Sequence, residues 1–252
     1  MNESPLAALL ALAVALLQAG AEPYRVEEAV ERAGSGFNCG EIHVFVTPPG
    51  LFVSVEGPGS HETGVRRVRN RATDLGRLAT LNSIARAAEH GDLSPAECLR
   101  AIAGVKGLQS PYGLGTDLLA GAVASSAYAW FIGATHLEAA LAALGGAFTV
   151  LMRLRPAGRF AERFFLLAVS GFAVGLIGIA GAALWRQNAG DIVAGGLVVL
   201  VPGLALSGVL RDLLAGDFLS AAAGGLEALT VAGALAAGAA VAVAAGIALG
   251  WS

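Results

Sequence analysis

Between Asp191 and Ala245 the chain runs through two long apolar segments, each interrupted by something that a helix in hydrocarbon normally avoids. In the first, Pro202-Gly203 falls about eleven residues after Asp191, roughly 17 Å along a helix and near the middle of a ~30 Å hydrocarbon core. In the second, Glu227 follows Asp217 by ten residues, about 15 Å along. A helix breaker and a carboxylate are therefore expected at similar depth. Hydrocarbon tolerates broken backbone or an ionisable group only beside protein or a water-filled cavity. Membrane transporters build substrate sites from such broken helices. The plainer alternative is a proline kink beside a carboxylate hydrogen-bonded to a neighbouring helix.

Composition divides the chain. With 56% apolar residues and a mean hydropathy of +0.68, its 252 residues are too apolar for an ordinary soluble globule. Residues 1–110 hold ten of the sixteen Lys/Arg and twelve of the nineteen Asp/Glu. The spacing predicts a soluble domain over 1–110 and a membrane domain over 111–252. A net charge of -3 offers no basic face for nucleic acid. Cys39 and Cys98 lack ligand spacing and read as free thiols, so no metal and no cofactor is expected.

The apolar run Pro5–Leu17 follows a leader without Lys or Arg and is too short to span a bilayer. It reads as a buried helix with Ser4 as N-cap and Pro5 at the first helical position. A second helix runs from Glu22-Pro23 to about Ala33, its stripe Val26, Ala29, Val30 and Ala33 apolar, with Glu27, Glu28, Glu31 and Arg32 in water. Residues 41–47 and 51–56 alternate as a hairpin around Pro48-Pro49-Gly50. Ile42, Val44, Val46, Leu51, Val53 and Val55 share one face; His43 lies on the other and reads as a solvated ring. A third strand is expected near Thr63–Val68, beside the cluster Arg66, Arg67, Arg69 and Arg71, which is a solvated edge or a lipid-headgroup contact. Helices follow over Thr73–His90, with Leu75, Leu78, Leu81, Asn82 and Ala85 on one side, and from Ser94-Pro95-Ala96-Glu97 to near Gly104. No catalytic arrangement occurs, so an enzyme is not expected.

Five spans fit the remainder: about 112–131, 134–152, 162–184, 191–211 and 217–250. Arg153, Arg155, Arg159, Arg163 and Arg211 fall in the loops on the side of the soluble domain, which the positive-inside rule makes cytoplasmic, with the C-terminus outside. Trp130, Trp185 and Trp251 fall at the outer ends as an aromatic belt. Gly171, Gly175, Gly178 and the series Ala232, Ala236, Ala240 and Ala244 suit close helix packing, within the chain or against another protein. Asp117 lies one turn into the first span and can snorkel; Ser125 lies deeper. Arg211, Asp212 and Asp217 bracket the inner turn as an ion-pair clamp or a plain surface turn.

The segment Gln18-Ala19-Gly20-Ala21-Glu22-Pro23-Tyr24-Arg25-Val26-Glu27, the hairpin Ile42–Val55, Asn82, and Val201-Pro202-Gly203 followed by Arg211-Asp212 and Gly216-Asp217 resemble the threonine/serine exporter family. The likeness covers nearly the whole chain. It implies an α-helical multi-pass membrane protein of about five spans with a small α+β N-terminal cytoplasmic domain, in the cell inner membrane. Full-length members carry a second set of spans, so the resemblance implies the larger subunit of the split, two-chain type, with a second small multi-span membrane subunit as partner and a homo- or hetero-oligomer as the assembly. Some split relatives are associated with succinate export.

Two transport readings follow. In the first, the chain exports threonine or serine by proton-coupled antiport. Pro202, Gly203 and Ser207 open a half-helix whose amides hold the substrate carboxylate, and Glu227 takes the ammonium or a proton. Asp117 and Ser125 complete the candidate substrate residues; Glu227, Arg211, Asp212 and Asp217 are the candidates for gating and coupling. In the second, the substrate is a dicarboxylate, which would want a further cation that no deep Lys or Arg here supplies. A non-transporting membrane scaffold is the alternative from another class.

Overall fold

The computed structural model describes residues 4–47, 50–57, 60–68, 73–107, 112–155 and 160–251. Pro48, Pro49, Arg69, Arg71, Arg159, Ser252 and the expected boundary at 110–111 lie outside the described residues. The chain forms two compact units: Met1–Gln109 with Gly208–Gly224, and Ser110–Ser207 with Gly225–Ser252.

The first unit is built around α1 (Pro5–Gln18). This helix is apolar on every side, which obliges it to be buried. It packs against α2 (Pro23–Gly36), α3 (Leu75–Glu89), α4 (Pro95–Lys106) and the second and third strands of a small sheet. Leu9, Leu12, Leu16 and Leu17 lose essentially all contact with solvent, each contributing about 1.5–3 kcal/mol relative to exposure. Gly20, at φ 91°, reverses the chain after the helix, a conformation that costs other residues far more. Ser4 stands at the N-cap position as expected, but its hydroxyl does not cap the helix; it donates to Glu62 at 3.2 Å.

The sheet is antiparallel in the order β1 (Glu41–Thr47), β2 (Gly50–Gly57), β3 (Ser60–Arg67). Ile42 pairs with Val55, Val44 with Val53 and Val46 with Leu51, so the expected apolar face is the one turned to the core. β3 begins three residues before the expected Thr63, because Ser60 and His61 continue the ladder opposite Gly57 and Glu56. Gly64 lies so close to Leu10 of α1 that a Cβ there would collide with it. Two other expectations are corrected. Glu27 is not in water: it is half-buried and accepts the Val46 N–H at 2.8 Å on the outer edge of β1. Leu75, the first residue after the Asp74 cap, does not share the core face of α3: it is exposed, whereas Leu81 and Ala85 are buried as expected, with Ile84 and Ala88 beside them. The capping box at Ser94 and Glu97 is present in full.

The second unit holds α5 (Leu114–Phe131), α6 (His136–Arg153), α7 (Phe160–Trp185), α8 (Ala189–Leu197) with a 3-10 turn (Val198–Leu200), and parts of α9 (Gly203–Ala215) and α10 (Phe218–Ala248). Among the described residues, Ala161–Trp185 and Phe218–Ala248 are long and apolar enough to cross a membrane, and a third span exists if α8 and α9 count as one bent span. The first two expected spans form α5 and α6, each 18 residues long, about 27 Å at the helical rise. They carry Asp117 and Glu138 among their apolar residues.

Small residues set the packing. α8 sits against α5, α6 and α7, with Gly195 facing the methyls of Ala142 and Ala129 and Gly145 facing Gly196. On α7, Gly171 meets the backbone at Leu235 and Gly175 meets Ala239 and Ala242, while Ile179 meets Gly246. Numbers rise together along the two helices, so α7 and α10 run parallel. The series Ala232, Ala236, Ala240 and Ala244 is exposed; α10 packs instead through Ala228, Leu235, Gly238, Ala242 and Gly246.

Candidate functional site

The break between α8 and α9 is where the sequence places it. Proline has no N–H to give and its ring excludes the carbonyl four residues earlier. The α8 helix accordingly tightens into the 3-10 turn, Val201 becomes extended (φ -62°, ψ 129°), and α9 restarts at Gly203 with a bend of 65°. The Gly203 N–H donates to the Val201 carbonyl at 2.8 Å and the Leu206 N–H to the Pro202 carbonyl at 2.9 Å, while Pro202 offers no side-chain acceptor to the Leu204 and Ala205 amides between them. Gly203 is exposed, and a Cβ on it would meet nothing within 4 Å. Ser207, one turn on, is exposed and its hydroxyl donates to the Leu204 carbonyl at 2.9 Å.

Glu227 is exposed on α10 and, among the described residues, makes no hydrogen bond or ion pair. Its neighbours Leu226 and Leu229 are 69% and 71% exposed, so this face is uncovered. The parallel alignment puts Glu227 level with the first turn of α7. Counted from the Ala248 end it lies about 31 Å along the helix, a full hydrocarbon thickness.

The turn between α9 and α10 is a built structure. Asp217 caps α10, accepting the Ser220 N–H at 3.0 Å, and donates its own N–H to the Asp212 carbonyl at 2.9 Å. Asp212 is buried. Arg211 forms an ion pair with Glu22. Its Nη1 donates to both oxygens of Glu22, at 2.7 and 2.6 Å, and to the Tyr24 hydroxyl at 3.2 Å. Arg25 reaches the same pair, 3.0 Å from Glu22 Oε2 and 3.0 Å from the Tyr24 hydroxyl. The Tyr24 hydroxyl bond, with Glu22, raises the Arg25 pKa above the ordinary guanidinium value. Two guanidiniums thus share one carboxylate. Glu22 and Tyr24 stand in the N-terminal segment that carries the family likeness, yet sequence reasoning gave them no role.

Asp117 and Ser125 belong to the second unit. Asp117 is half-buried in the first turn of α5, where a carboxylate suits the helix N-terminus. Ser125 is fully buried against Gly146, and its hydroxyl has no hydrogen-bond partner. Sequence reasoning also missed Glu138. It is buried, and its oxygens accept the N–H groups of Thr135 and Asn188, both at 2.6 Å. It thereby joins the start of α6 to the start of α8. The spacing Thr135-x-x-Glu138 was the available signal, since it is a capping box.

The family model described as "Putative threonine/serine exporter" matches residues 7–246. The chain belongs to the threonine/serine exporter family. It is 26% identical over 216 residues to the "Probable threonine/serine exporter" of Mycobacterium tuberculosis (strain ATCC 25618 / H37Rv), covering 84% of this chain and 40% of that protein. The chain therefore spans about two-fifths of that relative's length. No solved structure matches. Membership of an exporter family agrees with the long apolar helices of this chain.

Proposed function

We propose that the chain exports small zwitterionic amino acids, threonine and serine among them, across the cell inner membrane in exchange for protons. The bent apolar pair α8–α9 carries this reading. Its bend opens the N-terminal end of α9, where the Leu204 and Ala205 amides and the helix's partial positive charge suit a substrate carboxylate. Pro202 and Gly203 shape that end, and Ser207 lies one turn away. Glu227 and Gly203 lie at similar distances along their helices from the α9–α10 turn, about 15 and 18 Å. A carboxylate facing lipid bare would be costly. Glu227 therefore serves beside the start of α9, near the middle of the membrane, taking the substrate ammonium or the coupling proton. Asp117, at the inner end of α5, and Ser125, buried two turns further on, are the remaining candidates for substrate contact on that helix.

In this reading the chain crosses the membrane about five times, with α5 and α6 as the first two spans, residues 1–110 in the cytoplasm and the C-terminus outside. A further membrane unit covers the Leu226, Glu227 and Leu229 face and the exposed alanine series. Arg211, Asp212 and Asp217 gate the inner end, with Arg211 latched on Glu22.

Inverted membrane vesicles from cells expressing the chain together with the further membrane unit, compared with vesicles from cells expressing that unit without the chain, test this function. The expected result is uptake of labelled threonine and serine that depends on a proton gradient, with little uptake of succinate. Equal uptake by both vesicle preparations would exclude export by this chain, and preference for succinate would favour the dicarboxylate reading.

A further inference from the structure

The outward face of the sheet carries a polar cluster that amino-acid export does not use. Register brings Glu41, Glu56 and His61 into one row across the three strands, and His43, Ser54 and Thr63 into the next. Glu41 and Glu56 are direct cross-strand partners. Like charges in that relation destabilise a sheet, and a cation between them would reverse the effect.

His43 supplies the third donor. Its Nε2 lies 3.7 Å from Glu41 Oε1 and 4.0 Å from Glu56 Oε1. One donor atom from each of the three residues falls within 4.8 Å of the others. Around a tetrahedral zinc ion, nitrogen and oxygen donors sit about 3.3–3.6 Å apart. All three side chains are exposed, so rotating them is enough to close the set, without moving backbone.

A supporting layer is already in place. His61 Nδ1 is 3.1 Å from the same Glu56 oxygen, and its Nε2 is 3.4 Å from Ser54 Oγ, which lies 2.9 Å from Thr63 Oγ1. An imidazole that holds a ligating carboxylate in place is a common feature around protein-bound metals.

We propose that Glu41, His43 and Glu56 form a binding site for a divalent transition-metal ion of the zinc class, with His61 orienting Glu56. Two carboxylates balance the ion's two charges. The imidazole donor separates the site from those for calcium and magnesium, which take oxygen donors. Three protein ligands leave the fourth tetrahedral position to water. The ion ties β1 to β2 at the open end of their hairpin.

The test uses the full chain, purified in detergent and stripped of metal, titrated with Zn2+ by calorimetry and with Co2+ by visible absorption. One ion per chain is expected, with tetrahedral Co2+ bands and no thiolate charge-transfer band, since neither Cys39 nor Cys98 takes part. His43→Ala abolishes the stoichiometric binding, His61→Ala weakens it about 10–100-fold, and His90→Ala leaves it unchanged. Far-UV circular dichroism confirms that the variants, altered only at exposed positions, stay folded. Absence of stoichiometric binding in the unaltered chain overturns the site, as does binding that survives His43→Ala combined with Glu56→Gln.

Discussion

Arg211 Nη1 lies 2.6 Å from Glu22 Oε2, joining residues 189 positions apart in the sequence. Glu22 immediately precedes α2, and Arg211 stands four residues from the end of α9. The ion pair therefore fastens the far end of the broken helix to the helical unit formed around α1.

If this latch gates the inner end, Arg211→Ala and Glu22→Ala each change the export rate severalfold, and the double variant is no worse than the worse single one. Residues that act through one contact are non-additive in this way. Export rates in inverted vesicles, normalised to the amount of chain, supply the cycle. Additive losses would mean that the two side chains act separately.

Glu27 gives a pH signature. Burial, the largest cause, raises its carboxyl above the usual range against the Val46 N–H bond, with Asp217 and Glu31 adding repulsion. A carboxyl raised on folding holds its proton more tightly in the folded state, so the stability linked to it is present below the unfolded value and lost as pH rises through the folded value. Glu27→Gln keeps an acceptor for Val46 and carries no charge. The variant should match the unaltered chain at acidic pH and become the more stable of the two as pH rises to neutral. Thermal unfolding of both across that range is the check.

Glu138 is the structural carboxylate of the second unit. Glu138→Gln keeps one acceptor oxygen and turns an amide donor toward a backbone N–H. Leaving a buried N–H unsatisfied costs about 1–3 kcal/mol. The expected outcome is a lower unfolding temperature and less protein in the membrane, with Glu138→Ala worse than Glu138→Gln.

Much of the first unit was legible because its signals are local. Alternation in Glu41–Glu56, the all-round apolar character of Pro5–Leu17 and the Ser94 box each depend on neighbours in sequence. Glu27 was misplaced because burial at that position is decided by an edge strand, which periodicity does not report. The break at Pro202 was legible from proline chemistry alone. Arg211 was singled out, but its partner Glu22 lies too far away in sequence for any spacing rule to connect them.

Topology follows from labelling with an impermeant thiol reagent, and the native cysteines are poor reporters. Cys98 is fully buried and its thiol is pushed up to about 11 by burial. Burial also raises Cys39, whose thiol donates to the Gly34 carbonyl. Val65→Cys, on the exposed face of β3, and Ser252→Cys are better. In intact cells, label at position 252 and none at position 65 is expected; the reverse pattern would invert the chain.

The most direct measurement is proton-coupled threonine uptake by inverted vesicles carrying Glu227→Gln or Glu227→Asp, with the amount of inserted chain measured alongside. Glu227 is exposed and without a partner among the described residues, so neither change should disturb folding. The account predicts normal insertion for both, loss of gradient-dependent uptake in Glu227→Gln and partial uptake in Glu227→Asp. Uptake by Glu227→Gln at the unaltered rate, with the same dependence on the gradient, would contradict it.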